Sequence, residues 1–355
     1  MHAMPLQLMQ ALNGPTILSG SGVAEYRRGL VQSQKYQFSE TLFEYFCGTC
    51  FTFMFLKRNT PGAKPDVSTG TLNNDVPNLV EYANHIFVGD TRDGGASMWL
   101  RTSWKDGRPL PRWDTWHDAR VAGSKELPMD WPGLPDPLSH SKLVEPGTTP
   151  FYCHCRGVNF LVRSARDMDH RPKEDLPPFV DPKTYRYLAL TCVCDWCRSS
   201  SGVDVPNWAF ADLAHIEFPP SDTSSDSTGA SQPFPASVSE LKEAVSSSNK
   251  DSRLGTLTFY QTSPDVQRYF CSRCAATVFY AVGRRPHVAD FAVGLLDHPS
   301  GARAEGLLSW DYGRMVSATD TEGGWRNKIV TTARKECEEW RVMRGYPQGW
   351  PRVLG

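Results

Sequence analysis

The chain has almost no net charge: 38 Lys and Arg stand against 39 Asp and Glu, leaving -1 in 355 residues. That balance offers no basic excess to nucleic acid or to an anionic membrane surface, so neither is expected as a partner. Also missing is any run approaching the roughly 18 apolar residues that a membrane-spanning helix requires. The opening stretch, MHAMPLQLMQALNGP, lacks the charged and apolar regions of a secretory leader. A cytoplasmic location is expected on that ground, with a nuclear one also open. At 40% hydrophobic and 22% charged residues, the composition is that of a soluble globular protein long enough for two domains.

What the chain does have is ten cysteines, most of them in clusters. In a reducing compartment such clusters are more often metal ligands or catalytic groups than disulfides. Cys153 and Cys155 form a Cys-x-Cys on a predicted strand, where residues two apart share a face. Cys271 and Cys274 have the Cys-x-x-Cys spacing of a turn-borne zinc knuckle. Together these four thiolates would close a tetrahedral shell; buried free thiols are the competing reading. The stretch TCVCDWCRSS leaves Cys192, Cys194 and Cys197 as a set of three. Three protein ligands with one open position are the usual arrangement of a catalytic zinc. A fourth protein ligand would close it instead, with His154 or His215 to consider. Cys337 reads as core. Cys47 and Cys50 read as vestigial thiols, or as ligands that need outside help.

A duplication organises the chain. FEYFCGTCFTFMF (43–55) and QRYFCSRCAATVFY (267–280) share Tyr-Phe-Cys-x-x-Cys before a β-prone run. Upstream, LSGSGVAEYRRG is the expected counterpart of LGTLTFYQTS; downstream, HIFVGDTRDGG is the expected counterpart of DFAVGLLDHPSG. Residues 1–105 then read as the C-terminal half of a domain, 106–148 as a packed Pro- and Trp-containing linker, and 149–345 as a complete domain. The Ser-, Pro- and Asp-rich stretch 219–252 is expected to be a disordered insertion. GVNFLVRSA, TYRYLALTCVC, WAFADLAHIEF and ATVFYAVG read as strands. Ile329, Val330, Ala333, Cys337 and Trp340 recur at helical spacing near the end. The expected class is mainly β with a C-terminal helix.

Taken in order, Cys-x-Cys-Arg-Gly-Val-x-Phe, Cys-x-Cys-x-x-Cys-Arg-x-x-x-Gly and Tyr-Phe-Cys-x-x-Cys resemble one family over about 149–345. It is the glutathione-dependent formaldehyde-activating enzyme (GFA) family, also called the centromere protein V (CENP-V) domain, here as a tandem member with a truncated first copy. The resemblance implies an Mss4-like β-tent fold and two zinc ions per chain. It assigns Cys153, Cys155, Cys271 and Cys274 to a structural ion, and Cys192, Cys194 and Cys197 to a catalytic one. Val193 stands where the family usually has His, and Phe51 and Ala275 stand where it usually has Gly.

The activity implied is that of a carbon–sulfur lyase resembling S-(hydroxymethyl)glutathione synthase. Zinc lowers the pKa of a thiol in the open position, and the thiolate adds to an aldehyde such as formaldehyde. Expected partners are therefore small molecules: glutathione or another thiol, and an aldehyde. Arg198, Arg284 and Arg285 are candidates for glutathione's carboxylates. The competing expectation is a zinc-stabilised interaction module without turnover.

Overall fold

The computed structural model describes residues 33–75, 77–116, 123–133, 142–220 and 233–348. The chain runs through β1 (Gln34–Ser39), β2 (Leu42–Phe46), β3 (Phe53–Arg58), β4 (Asp66–Val67), β5 (Thr148–Tyr152), β6 (Asn159–Arg163) and β7 (Tyr187–Cys192). It continues with α1 (Asp195–Ser201), β8 (Asn207–Asp212), β9 (Ile216–Glu217), α2 (Val238–Ser246), β10 (Leu257–Ser263) and β11 (Val266–Cys271). Last come β12 (Thr277–Val282), β13 (Val288–Ala292), β14 (Leu308–Val316) and α3 (Trp325–Arg344). The protein is mainly β with a C-terminal helix. No helix among the described residues is long and apolar enough to cross a membrane.

Among the described residues three sheets form. Strands β1 to β4 form one in sequence order, and β5-β6-β9 another. The largest has the order β10-β11-β12-β13-β8-β7-β14, antiparallel except where β14 runs parallel to β7. Burial follows the side-chain alternation of a pleated strand: Phe160 and Val162 of β6 are fully buried while Asn159 is exposed. Strand β7, paired on both sides by β8 and β14, is buried at every position, which explains its apolar run Tyr187–Leu190. Helix α3 lays Ile329, Val330, Ala333, Cys337 and Trp340 against the sheet, the face expected from their spacing. Residues 77–116 pack on it too: Trp99 lies 5.7 Å from Trp310 and 5.2 Å from Tyr312, centroid to centroid.

The duplicated unit repeats without insertion or deletion. Leu42 pairs with Arg58 as Val266 pairs with Val282, and Phe46 pairs with Phe53 as Phe270 pairs with Thr277. The register shifts also coincide, between Gln37 and Ser39 in one copy and between Gln261 and Ser263 in the other. Phe55 opposes Val67 as Phe279 opposes Phe291. The short 3-10 turn Thr69–Thr71 then answers Val293–Leu295.

This register corrects the flanks expected from sequence. The counterpart of TFYQTS is QKYQFS in β1, and the counterpart of DFAVGLL is DVSTGTL. HIFVGDTRDGG belongs to the segment beyond the repeat, and LSGSGVAEYRRG lies outside the described residues. The Val-Gly pairs that suggested the downstream match are coincidental; strand pairing aligns Gly70 with Gly294 instead.

Two further expectations give way. The insertion 219–252 is not disordered over its second half. Phe234 sits 5.1 Å from Phe160 and 5.3 Å from Phe218, and α2 buries Val238 and Leu241. Ser237 caps that helix by accepting from the Glu240 N–H at 3.2 Å, and Glu240 reaches back to the Ala236 N–H at 2.8 Å. The Ser-x-x-Glu spacing was the overlooked signal. Residues 221–232 lie outside the described ones. Cys153 and Cys155, for their part, sit in the turn after β5 rather than on a strand.

Candidate metal centres

The turn after β5 and the turn between β11 and β12 bring Cys153, Cys155, Cys271 and Cys274 together. Their sulfurs all lie within 4.8 Å of one another. Backbone N–H groups point at the sulfurs: Val158 at Cys153 (3.3 Å), Gly157 at Cys155 (3.4 Å) and Cys274 at Cys271 (3.4 Å). Such donors stabilise thiolate over thiol. Each turn needs a left-handed residue, Arg156 at φ 57° and Ala275 at φ 54°. The same holds for Phe51 at φ 58° in the first copy. Glycine adopts this conformation at no steric cost, whereas Ala275 and Phe51 carry a Cβ into it.

The second group forms where β7 ends and α1 begins. Cys194 is the N-cap of α1, its sulfur accepting from the Cys197 N–H at 3.3 Å. Cys192, Cys194 and Cys197 also lie within 4.8 Å of one another, and no fourth Cys, His, Asp or Glu joins them among the described residues. Left-handed Gly202 (φ 77°) closes α1 by donating to the Arg198 carbonyl. Val193 is fully buried and donates its N–H to Val316 at 3.0 Å, so the position between the first two cysteines is a core position here.

Packing several thiols this closely sets their protonation against one another. Hydrogen bonds from Cys192 and Cys197 hold Cys194 down to about 2, while the bond to Cys194 drives Cys192 up. In the four-cysteine group, bonds from Cys153, Cys155 and Cys274 pull Cys271 down, and Cys274 is pushed up by its bonds to Cys153, Cys155 and Cys271. Full ionisation of either cluster calls for a cation at its centre. Soft sulfur donors at tetrahedral spacing suit zinc, so both groups can hold metal ions.

Neither histidine considered as a fourth ligand belongs to the three-cysteine group. His154 Nδ1 bonds the Tyr36 hydroxyl at 2.7 Å and its ring stacks on Phe38 at 4.0 Å. His215 is buried against the Tyr187 hydroxyl, and burial lowers its pKa. Of the arginines proposed for substrate carboxylates, Arg198 is committed elsewhere: it is buried, donates to the Leu72 carbonyl at 3.0 Å and pairs with Asp195 at 2.8 Å. Arg285 pairs with Asp290 at 2.8 Å, and Arg284 is exposed.

Sequence reasoning missed Arg268. Strand β11 places it, buried, with Nη1 3.7 Å from Cys197 Sγ and 3.5 Å from Ser200 Oγ, and its guanidinium lies over the Tyr280 ring. The available signal was an arginine in a β-prone run, three residues before a cysteine. In the first copy the matching position is Glu44, which is also buried. A cavity open to solvent lies between the copies and reaches Cys274 and Glu44 rather than the three-cysteine group. Cys337 is buried core, and Cys47 and Cys50 are half-buried without a third ligand in their vicinity among the described residues.

Comparison of the chain with protein-family models, with curated proteins and with solved structures finds no match.

Proposed function

We propose that the chain is a zinc-dependent, carbon–sulfur lyase-like enzyme that joins a thiol, glutathione or another, to formaldehyde or another aldehyde. The motif resemblance suggests the class, and with it an Mss4-like tent and two zinc ions per chain. One observation carries the catalytic reading: three buried or half-buried sulfurs converge within 4.8 Å, with no fourth Cys, His, Asp or Glu completing the set among the described residues. A shell left one ligand short is what a substrate thiol requires.

Zinc bound there supplies a Lewis-acid position that favours the thiolate form of a coordinated thiol. Cys192, Cys194 and Cys197 would hold that ion; Cys153, Cys155, Cys271 and Cys274 would hold the structural one. Arg268 places a fixed positive charge beside Cys197, offsetting the negative charge that additional sulfur brings. In the reaction the S–C bond forms, the carbonyl π bond breaks and the thiol proton ends on the former carbonyl oxygen. The product is an S-hydroxyalkyl thioether, and the reverse direction is carbon–sulfur cleavage. Holding both reactants together supplies rate through proximity.

The test joins metal content to turnover in the purified full-length protein. Two zinc ions per chain and accelerated adduct formation from glutathione and formaldehyde are expected. Cys194→Ser should remain folded while losing one ion and the activity. Cys271→Ser should unfold, because zinc binding in a closed shell is folding free energy.

A second reading, a zinc-stabilised interaction module, is favoured by where the open space lies. The cavity adjoins the four-cysteine group, while Cys192 and Cys197 are each only 8% exposed. Two bound zinc ions with no acceleration for any thiol and aldehyde pair would select that reading.

A further inference from the structure

Cys47 and Cys50 take no part in either cluster, and every other cysteine is placed: seven in the two groups and Cys337 in the core. The turn that carries them, between β2 and β3, repeats the backbone bonding of the turn between β11 and β12. Cys47 N–H donates to the Thr52 carbonyl at 3.0 Å, and Phe51 N–H to the Cys47 carbonyl at 3.0 Å. In the second copy Cys271 N–H donates to the Ala276 carbonyl at 3.0 Å, and Ala275 N–H to the Cys271 carbonyl at 2.8 Å. The surroundings differ. Cys153 and Cys155 enclose the sulfurs of the second turn, whereas the first turn faces solvent: Gly48 and Thr49 are exposed, and Cys47 and Cys50 are half-buried. Cys155 and Cys194 are half-buried too, but each converges with the other sulfurs of its cluster.

Two accessible thiols fixed in one turn, with no further ligand beside them among the described residues, are arranged to exchange with a disulfide. Thr49 N–H points at Cys47 Sγ at 3.4 Å, Cys50 bonds to the same sulfur, and Cys50 Sγ lies 3.2 Å from Thr52 Oγ1. Burial pushes the Cys47 thiol up, but the hydrogen bonds from Cys50 and Thr49 outweigh it and leave the thiol below its ordinary value. The thiolate is the form that attacks, and a second thiol within reach completes the exchange. We propose that Cys47 and Cys50 form a dithiol–disulfide redox site, with Cys47 attacking, Cys50 resolving, and a low-molecular-weight disulfide as the oxidant. The Cys47 thiolate bonds to one sulfur of that disulfide. Its S–S bond breaks, and the other sulfur leaves as a thiolate that takes up the proton Cys47 gave. Cys50 then attacks the Cys47 sulfur, forming the Cys47–Cys50 bond and releasing the second thiol with the Cys50 proton. Two protein thiols lose two electrons, and one disulfide becomes two thiols. The site is separate from both clusters and stands whether or not the three-cysteine group turns over substrate.

Glutathione disulfide serves as the probe. Full-length protein, purified with zinc in the buffer, is equilibrated with graded ratios of glutathione to glutathione disulfide. It is then quenched in acid, alkylated and mapped by peptide mass spectrometry. The segment carrying Cys47 and Cys50 should lose two hydrogens reversibly, in one two-electron transition, at ratios that leave the clustered cysteines and Cys337 reduced. Cys50→Ser should stop at a stable glutathione adduct on Cys47. Cys47→Ser should form its adduct at least about threefold more slowly, because the attacking thiolate is gone. The titration of the unsubstituted protein decides for or against the site even if a variant folds poorly. No Cys47–Cys50 disulfide at any ratio would overturn the proposal. So would a folded Cys47→Ser, Cys50→Ser double variant that binds less zinc than the parent, since the pair would then be metal ligands. Equal adduct rates in the two single variants would overturn the assignment of Cys47 as the attacking sulfur.

Discussion

Positions 51 and 275 put two different residues into the same left-handed conformation. Ala275, at φ 54°, pays the steric cost of a Cβ in that region, roughly 1–2 kcal/mol. Ala275→Gly removes that cost and adds some chain entropy to the unfolded state. It should therefore stabilise the protein by about 0.5–1 kcal/mol, read as a rise in the urea midpoint without a change in slope. Phe51 shares the conformation, at φ 58°, but stacks on Phe46 at 6.2 Å and on Phe270 at 5.7 Å. There the ring's burial offsets the backbone cost, so one chemical rule favours glycine at 275 and a large side chain at 51.

The strand pair β3–β4 repeats the β12–β13 pair down to its carboxylates. Asp66 opposes Leu56 as Asp290 opposes Tyr280, and burial pushes both acids up to about 6 from the ordinary 3.8. For Asp66 the Arg58 charge offsets only part of that effect. The sign follows directly. Between 3.8 and about 6 the unfolded carboxyl has lost its proton while the folded one keeps it. The contribution to stability is therefore full below the lower value and declines as pH rises through the upper one. Asp66→Asn cannot ionise, so its stability relative to the parent should improve between about pH 4 and about pH 7. Chemical denaturation of both proteins at each pH measures the difference, and a constant gap would contradict the burial argument.

Besides the ring contacts of Phe51, Tyr36 and Phe38, a dense polar contact secures the first copy to the rest of the molecule. Its edge strand β4 leads into the turn at Ser68–Leu72, which rests on the end of α1. Gly70 N–H donates to the Gly202 carbonyl at 3.1 Å, and the Ser68 hydroxyl donates to the same oxygen. Thr69 Oγ1 donates to Asp204 at 2.6 Å, and Arg326 of α3 pairs with that carboxylate at 2.8 Å. A Cβ on Gly70 would collide with the Gly202 carbonyl carbon and the Val203 nitrogen, both backbone atoms that cannot swing away. Gly70→Ala should cost about 1–3 kcal/mol and loosen residues 34–71, seen as faster amide hydrogen exchange there than in β10–β13. Equal acceleration in both copies would mean that the contact is not what secures the first one.

Much was legible along the chain because it depends on local order. Alternating burial in β6, the apolar run of β7 and the spacing of Ile329 to Trp340 all arise from backbone periodicity, which the residue pattern carries directly. The four-plus-three grouping of cysteines was legible too, since two short turns and one strand-to-helix junction place the sulfurs and each is specified by neighbours. Other features depend on what folds against what. The register of the repeat is set by strand pairing, so sequence matches at its flanks misled while the ladder aligned Tyr36 with Tyr260 and Gly70 with Gly294. Order in residues 233–252 comes from a distant aromatic cluster that accepts Phe234, and composition does not encode that pocket. The placing of Arg268 beside Cys197 and of Glu44 beside Cys274 likewise joins residues far apart in the chain. Spacing along a chain specifies contacts closed by short loops; contacts across sheets are chosen by packing, which only the folded molecule expresses.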